Sequence, residues 1–286
     1  MRYQSLMFFE SWSRSWEFAK LSYSTLFEHK HLMVFPVIST VATLLVLMSF
    51  LLPLELTGTM DRWIGELDSG GGATEDPVIY LTTFAFYLCN YFAIVFFNTA
   101  LIASVMNIFE GGSGSLSFGL KFATRRIHAI FGWALVSACF GMILNALERN
   151  QKIGRFVASL LGSAWTALTY FVIPVLVSDG VGPVEAVKRS MRTLKDTWGT
   201  ALTGNFSMGA FGFLLMLPVL ILGVVLAIYV DVVLALATCI PLGILAVLFS
   251  STADAIFKAY LYAYATGKTL PEEADTTSMR DAFSAK

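Results

Sequence analysis

A chain of 286 residues with 56% apolar side chains, 14% charged ones and a mean hydropathy of +0.70 lies outside the range of water-soluble globular domains, and its apolar excess calls for a lipid solvent. Lys+Arg (19) nearly balance Asp+Glu (20), so net charge gives no reason to expect a nucleic-acid partner. Cys89, Cys139 and Cys239 lie far apart, each inside an apolar run, a spacing that suits neither a disulfide framework nor a zinc site.

Residues 1–31 contain Glu10, Glu17 and Glu28, unlike a cleavable signal peptide, and are expected to remain as a cytoplasmic segment. Phe9, Trp12, Trp16, Ala19, Tyr23 and Phe27 recur at helical spacing and predict an amphipathic helix lying in the headgroup layer. A helix needs roughly 20 apolar residues to cross about 30 Å of hydrocarbon. By that measure the first span covers 32–54, after His29-Lys30-His31, and closes with Pro53. An acidic outer loop follows, with Glu55, Asp61, Glu66, Asp68, Glu75 and Asp76 around Ser69-Gly70-Gly71-Gly72.

The second uncharged run, 78–109, is too long for one perpendicular crossing, so a span at 78–103 must tilt or project beyond the bilayer. After Glu110-Gly111-Gly112-Ser113-Gly114, a stripe of Leu116, Leu120, Ala123 and Ile127 opposes Lys121, Arg125 and Arg126, which predicts a second interfacial helix. Spans three and four, 127–147 and 156–178, form a tight hairpin around 148–155. Asp179-Gly180-Val181-Gly182 and Pro183 then start a third amphipathic helix. Its stripe is Val184, Val187, Met191, Leu194 and Trp198, and its polar face holds Lys188, Arg189, Arg192 and Lys195.

Between 206 and 253 the only charged residue is Asp231, and one helix of that length would be more than twice the bilayer core. The chain must fold back near Tyr229-Val230-Asp231, giving spans at 206–228 and 232–253, with Pro218 and Pro241 kinking their interiors. Glycines at 199, 204, 209, 212 and 223 suggest close helix contacts around span five. The expectation is an all-α polytopic membrane bundle: a transmembrane domain at 32–264, six helices in three hairpins each led by an interfacial helix, and a cytoplasmic tail at 265–286.

Orientation follows from Lys and Arg, which are retained on the cytoplasmic side of span ends. Fifteen of them fall on the side of the two termini; four, Arg62, Arg149, Lys152 and Arg155, fall on the other. Both termini are therefore expected in the cytoplasm of a cell (inner or plasma) membrane.

Ser15-Trp16, then Phe35-Pro36 at the start of span one, Asp179-Gly180 with Pro183, Ala186 and Ser190 after span four, and Leu261-Tyr262-Ala263-Tyr264-Ala265-Thr266-Gly267 at the end of span six resemble a widespread bacterial and archaeal family of multi-pass membrane proteins. That family is catalogued only as a domain of unknown function. The resemblance implies a six-helix membrane domain and supplies no activity or catalytic residue.

Enzymatic motifs are not apparent, and no enzyme, cofactor or metal is expected. Gly267-Lys268-Thr269 ends like a phosphate loop, but the first glycine of that motif would fall on Tyr262, and Gly-Lys after a helix is ordinary capping. His29, His31 and His128 lack metal-ligand spacing, and there is no G-x-S-x-G. What remains are polar residues at membrane depth, costly in lipid and therefore informative. Asn90 and Asn98 share a face of span two with Asn107 beyond them; Asp254 and Lys258 stand i,i+4 near the end of span six. Helix-to-helix hydrogen bonding and a structural ion pair compete with a polar substrate path and a proton relay.

Two functional readings follow. One is a non-enzymatic domain organising lipid or a partner protein, with Lys121, Arg125, Arg126, Lys188, Arg189, Arg192 and Lys195 attracting anionic headgroups, and with a membrane-protein partner or a second copy of itself possible. The other is a transporter or channel component for a small or lipid-like substrate. An aqueous cavity lined by Asn90 and Asn98 would favour transport; a sealed bundle with a lateral groove would favour lipid or partner binding.

Overall fold

The computed structural model describes residues 18–62, 77–148 and 151–271, without the side chains of 151–153, 196 and 198–207. Among the described residues the fold is all-helical: α1 (18–28), a 3-10 turn (Lys30–Met33), α2 (Val34–Leu56), α3 (Pro77–Phe109), α4 (Leu116–Arg125), α5 (Ile127–Glu148), α6 (Gln151–Leu168), α7 (Val172–Asp179), α8 (Pro183–Tyr229) and α9 (Val232–Ala265). Six stretches are long and apolar enough to cross a membrane: Lys30–Leu56, Pro77–Phe109, Ile127–Glu148, Gly154–Asp179, Met208–Tyr229 and Val232–Ala265. Six is the expected number, and the chain is a multi-pass membrane bundle; the last helix runs on to Ala265, past the expected end at 253.

Local chemistry sets the helix ends. The last pair turns at Val230–Asp231, where Asp231 caps α9 by accepting from the backbone N–H of Val233 (2.7 Å) and Leu234 (3.0 Å). The lone acid of the long apolar run is thus the punctuation that lets it fold back. Gly111 (φ +81°) and Gly267 (φ +64°) close α3 and α9 with paired Schellman bonds, Gly112 N to Asn107 O (2.8 Å) and Lys268 N to Ala263 O (2.8 Å) among them. Gly267-Lys268 is therefore a helix terminus.

α3 is the central element and packs against α2, α4, α5, α7 and α9. Its buried residues run from Ala93 to Phe109, and those of α9 lie mainly from Leu248 to Ala263, so the core gathers at the end where α1, α4 and the start of α8 also lie. We call this the basic end. Towards the other end the helices face outwards: no residue of the most apolar stretch of α2 or of the outer part of α8 is buried, and Phe213, Leu220, Val224 and Val233 are exposed. Apolar surface of this kind is stable against hydrocarbon.

The three expected interfacial helices differ from one another. α4 is a separate ten-residue helix, capped by Ser115 and broken from α5 at Arg126 (φ −102°, ψ 14°), with Gly119 and Ala123 buried. The third is continuous with span five in the 47-residue α8. Its covered face is Ala186, Ser190, Leu194 and Thr197, while Val184 and Met191 of the expected stripe point outwards. The stripe was misjudged because polar Ser190 and Thr197 face the protein. The first packs on the bundle: α1 buries Phe18, Ala19 and Leu26, with Phe18 beside Phe257, Tyr260 and Tyr264 of α9, and Thr25 Oγ1 2.7 Å from the Tyr260 hydroxyl. Phe9, Trp12 and Trp16 of its expected stripe lie outside the described residues.

Of the span-five glycines, Gly212 and Gly223 abut Ser250 and Cys239 of α9, Gly209 faces open space, and the positions at 199 and 204 lie outside the described side chains. Gly119 is held against a neighbouring helix: a β-carbon there would strike the Ala100 carbonyl oxygen, the Ser104 hydroxyl and the Phe35 ring. Gly119→Ala should lower stability by about 1–3 kcal/mol through overpacking against backbone. Gly209→Ala should be neutral or slightly stabilising. Thermal unfolding in detergent checks both, and a Gly119→Ala midpoint equal to wild type would refute the close approach.

Candidate functional site

The span-four segment is broken. α6 ends at Leu168, residues 169–171 form a turn, and α7 restarts at Val172. Pro174 has no N–H to give the carbonyl of Tyr170, which is why the ladder cannot run through. The freed groups are taken up locally: Tyr170 N bonds Ala167 O (3.2 Å), Val172 N bonds Thr169 O (3.0 Å), and Phe171 N donates to Ser190 Oγ of α8 (3.0 Å). Such irregular backbone at membrane depth is stable only inside protein or beside a cavity.

It lies beside one. A cavity of ≈ 470 Å³ is walled by α3, α5, the α6–α7 break and α9. The break contributes Thr169, Tyr170 and Pro174; α3 contributes Tyr91 and Asn98; α5 contributes Trp133 and Ser137; α9 contributes Ser251, Asp254 and Lys258. Lys258 Nζ pairs with Asp254 Oδ2 at 2.7 Å and stands 5.1 Å above the Tyr170 ring. The Tyr170 hydroxyl is buried with no hydrogen-bond partner, an open donor and acceptor at the cavity wall. Trp165, also in the wall, is stacked between Trp133 (5.6 Å) and Phe140 (4.0 Å), which stiffens that side. Trp133 and Ser137 stand about two and three turns into α5 from its basic end, so the cavity occupies the basic-end half of the bundle.

Of the residues expected from sequence, Asn98, Asp254 and Lys258 are brought together here. Asn90 is not; its Nδ2 donates to Phe86 O (2.9 Å) on its own helix. Asn107 Oδ1 accepts from Gly114 N (3.1 Å) and anchors the turn into α4. Sequence reasoning missed Ser137, the paired tryptophans and the Tyr170 break; Pro174 inside an apolar run was the available signal.

The basic residues divide. Lys121, Arg125, Lys188, Arg192 and Lys195 are exposed. Arg126 Nη1 donates to Gly180 O (3.2 Å), and Arg189 is bound to Asp179 (2.7 Å) and Glu185 (3.2 Å). Those bonds, to Asp179 first and then to Glu185, raise the Arg189 pKa above its ordinary value, so its charge is fixed. Asp179 Oδ1 also accepts from Lys268 Nζ (3.1 Å) and the Tyr262 hydroxyl (3.2 Å), tying the ends of α7 and α9 to the start of α8. Two of the motifs that carried the family resemblance therefore meet in one latch, with Gly180 (φ +63°) in the left-handed turn beside it.

This is a polytopic α-helical membrane domain with a polar cavity beside a broken span. The chain belongs to a family of unknown function, DUF6159, whose model matches residues 78–270. Ser15-Trp16 and Phe35-Pro36 precede that stretch. No curated protein and no solved structure matches the chain.

Asp179→Asn should weaken the bond to Arg189 and strand Lys268, lowering stability by about 1–3 kcal/mol. A double-mutant cycle with Lys268→Met, read by unfolding in detergent, should give non-additive losses; strict additivity would show that the latch is not a coupled unit.

Proposed function

We propose that this chain is a non-enzymatic domain of the cell (inner or plasma) membrane, with its basic end in the cytoplasm, that holds the polar group of a lipid-like molecule in the Asn98–Asp254–Lys258 cavity. The observation that carries this reading is the convergence of three costly polar side chains and an unpartnered tyrosine hydroxyl on one cavity beside interrupted helix. A volume of ≈ 470 Å³ falls in the range of small-molecule sites, and the mix of aromatic walls with few polar groups is what such sites use to orient a ligand. Depth favours a headgroup over a trans-membrane path. The cavity lies towards the basic end, and Asn90, one helical stretch further out, is satisfied by its own helix.

The orientation is supported by the uneven distribution of Lys and Arg and by the docking of α1 on the end of α9, which puts both ends of the described bundle on one side. The exposed Lys188, Arg192 and Lys195, flanked by exposed Val184 and Met191, form a basic and apolar strip suited to the anionic inner leaflet.

Protein extracted in mild detergent should carry bound lipid detectable by native mass spectrometry, and Asp254→Asn or Asn98→Leu should reduce it several-fold. Equal retention in wild type and both variants would eliminate the cavity as the site. Replacing Lys188, Arg192 and Lys195 with Gln should weaken association with anionic vesicles by roughly 1 kcal/mol per charge; an unchanged salt dependence would remove that strip from headgroup contact.

A further inference from the structure

The polar cavity has a neighbour. A crevice of ≈ 460 Å³ runs between α8 and α9, walled by Met208, Gly209, Gly212 and Met216 on one side and Ala246 and Ser250 on the other. It shares two wall residues, Ser251 and Asp254, with the polar cavity. Its flanks are lipid-facing: Phe213 is 61% and Val247 54% exposed. The room exists because Gly209 has no side chain and nothing stands within 4 Å of where its β-carbon would lie.

We infer that this crevice receives an acyl chain, so that the ligand of the polar cavity is a membrane lipid taken sideways from the inner leaflet, its headgroup at Asp254–Lys258 and its tail between α8 and α9. The inference rests on the reading of the cavity as a binding site. Three observations join the two spaces into one amphiphilic site. They adjoin at Ser251 and Asp254, which line both, so the two ends of one molecule would lie on either side of these residues. Their linings differ in balance as the two ends of a lipid differ: away from Ser250, Ser251 and Asp254 the crevice is methionine, glycine, phenylalanine and aliphatic carbon, whereas the cavity adds Lys258, Asn98 and further hydroxyls to its aromatic walls. The crevice opens onto the apolar belt, where an acyl chain is already in its own solvent and crosses no water. Thioether side chains adapt to chains of differing length and shape, and Met208 and Met216 stand at either end of the α8 wall.

The test uses the full chain in nanodiscs of phosphatidylethanolamine and phosphatidylglycerol containing a phosphatidylglycerol with a diazirine in its acyl chain. Irradiation should place cross-links on the peptides spanning 208–216 and 246–251, above the level on α2. Gly209→Leu projects into open space, so the fold should survive while cross-linking at these peptides falls about tenfold. Asp254→Asn should lower it as well by releasing the headgroup. Loss with Asp254→Asn but not with Gly209→Leu would keep the polar cavity and overturn the crevice as the tail site. Loss with Gly209→Leu alone would place the chain in the crevice and overturn the headgroup assignment. Cross-links spread evenly over α2, α8 and α9, and unmoved by either variant, would mean annular lipid only and overturn both. An unchanged unfolding midpoint in detergent separates each result from misfolding.

Discussion

In hydrocarbon a peptide group that loses its partner has no water to turn to, and this one constraint organises the molecule. It makes every apolar segment a helix and keeps those helices intact through 33 residues in α3 and 34 in α9. It also explains why the interruption at 169–171 lies where it does. The break is enclosed by α3, α5, α8 and α9, its amides are taken by Ala167, Thr169 and Ser190, and the adjoining space is polar. A break of this kind on the lipid-facing surface of α2 would leave the same groups in oil.

The second organising fact is where cohesion comes from. Apolar burial drives folding in water, but a leucine leaving lipid for protein gains little, and helices in membranes associate through close van der Waals contact and hydrogen bonds. The distribution of small residues matches that requirement. Ala100, Ala103, Gly119, Ala123, Ala186, Ala253, Ala259 and Ala263 sit in the packed basic end, with the Asp179 latch and the Phe171–Ser190 bond among them. Beyond it the α8–α9 pair contacts little but itself, and its outward leucines, valines and isoleucines are solvated by lipid. Both spaces that border Asp254 lie where the packed base gives way to lipid-facing helix.

Much of this was legible in the chain. Span length, the uncharged runs and the single acid at Asp231 define six crossings and the final turn, because hydrocarbon thickness and capping chemistry are local requirements. Asn98, Asp254 and Lys258 stood out for the same reason: a polar side chain in an apolar run is expensive wherever it ends up. Their meeting could not be read, since it depends on how α3, α5, α6 and α9 cross, and the spacing of 98, 137, 170 and 254 in sequence carries no trace of it. Trp133 and Trp165 look like ordinary membrane aromatics until they stack. The amphipathic stripe before span five misled because Ser190, polar in sequence, is fully buried as the partner of a backbone amide, whereas Val184 is 66% exposed.

The ion pairs of Asp179 and of Asp254 are differently placed, and the contrast bears on function. Asp179 joins three helices, so its energy goes into holding elements together. Asp254 and Lys258 lie on one helix, i,i+4, each about one-third exposed, so their mutual bond joins no second helix, and Lys258 reaches another element only over the Tyr170 ring. A pair of that geometry stabilises a helix by about 0.3–0.5 kcal/mol, while a charge carried into hydrocarbon costs more, up to about 2.5–3.5 kcal/mol at the centre of a span on insertion scales. Stability alone therefore favours two apolar residues at these positions. The pair makes physical sense if the cavity is wet or filled, so that both charges are solvated by something other than lipid. On the proposed reading a polar headgroup would supply that solvation, and the pair sums to no net charge in its absence.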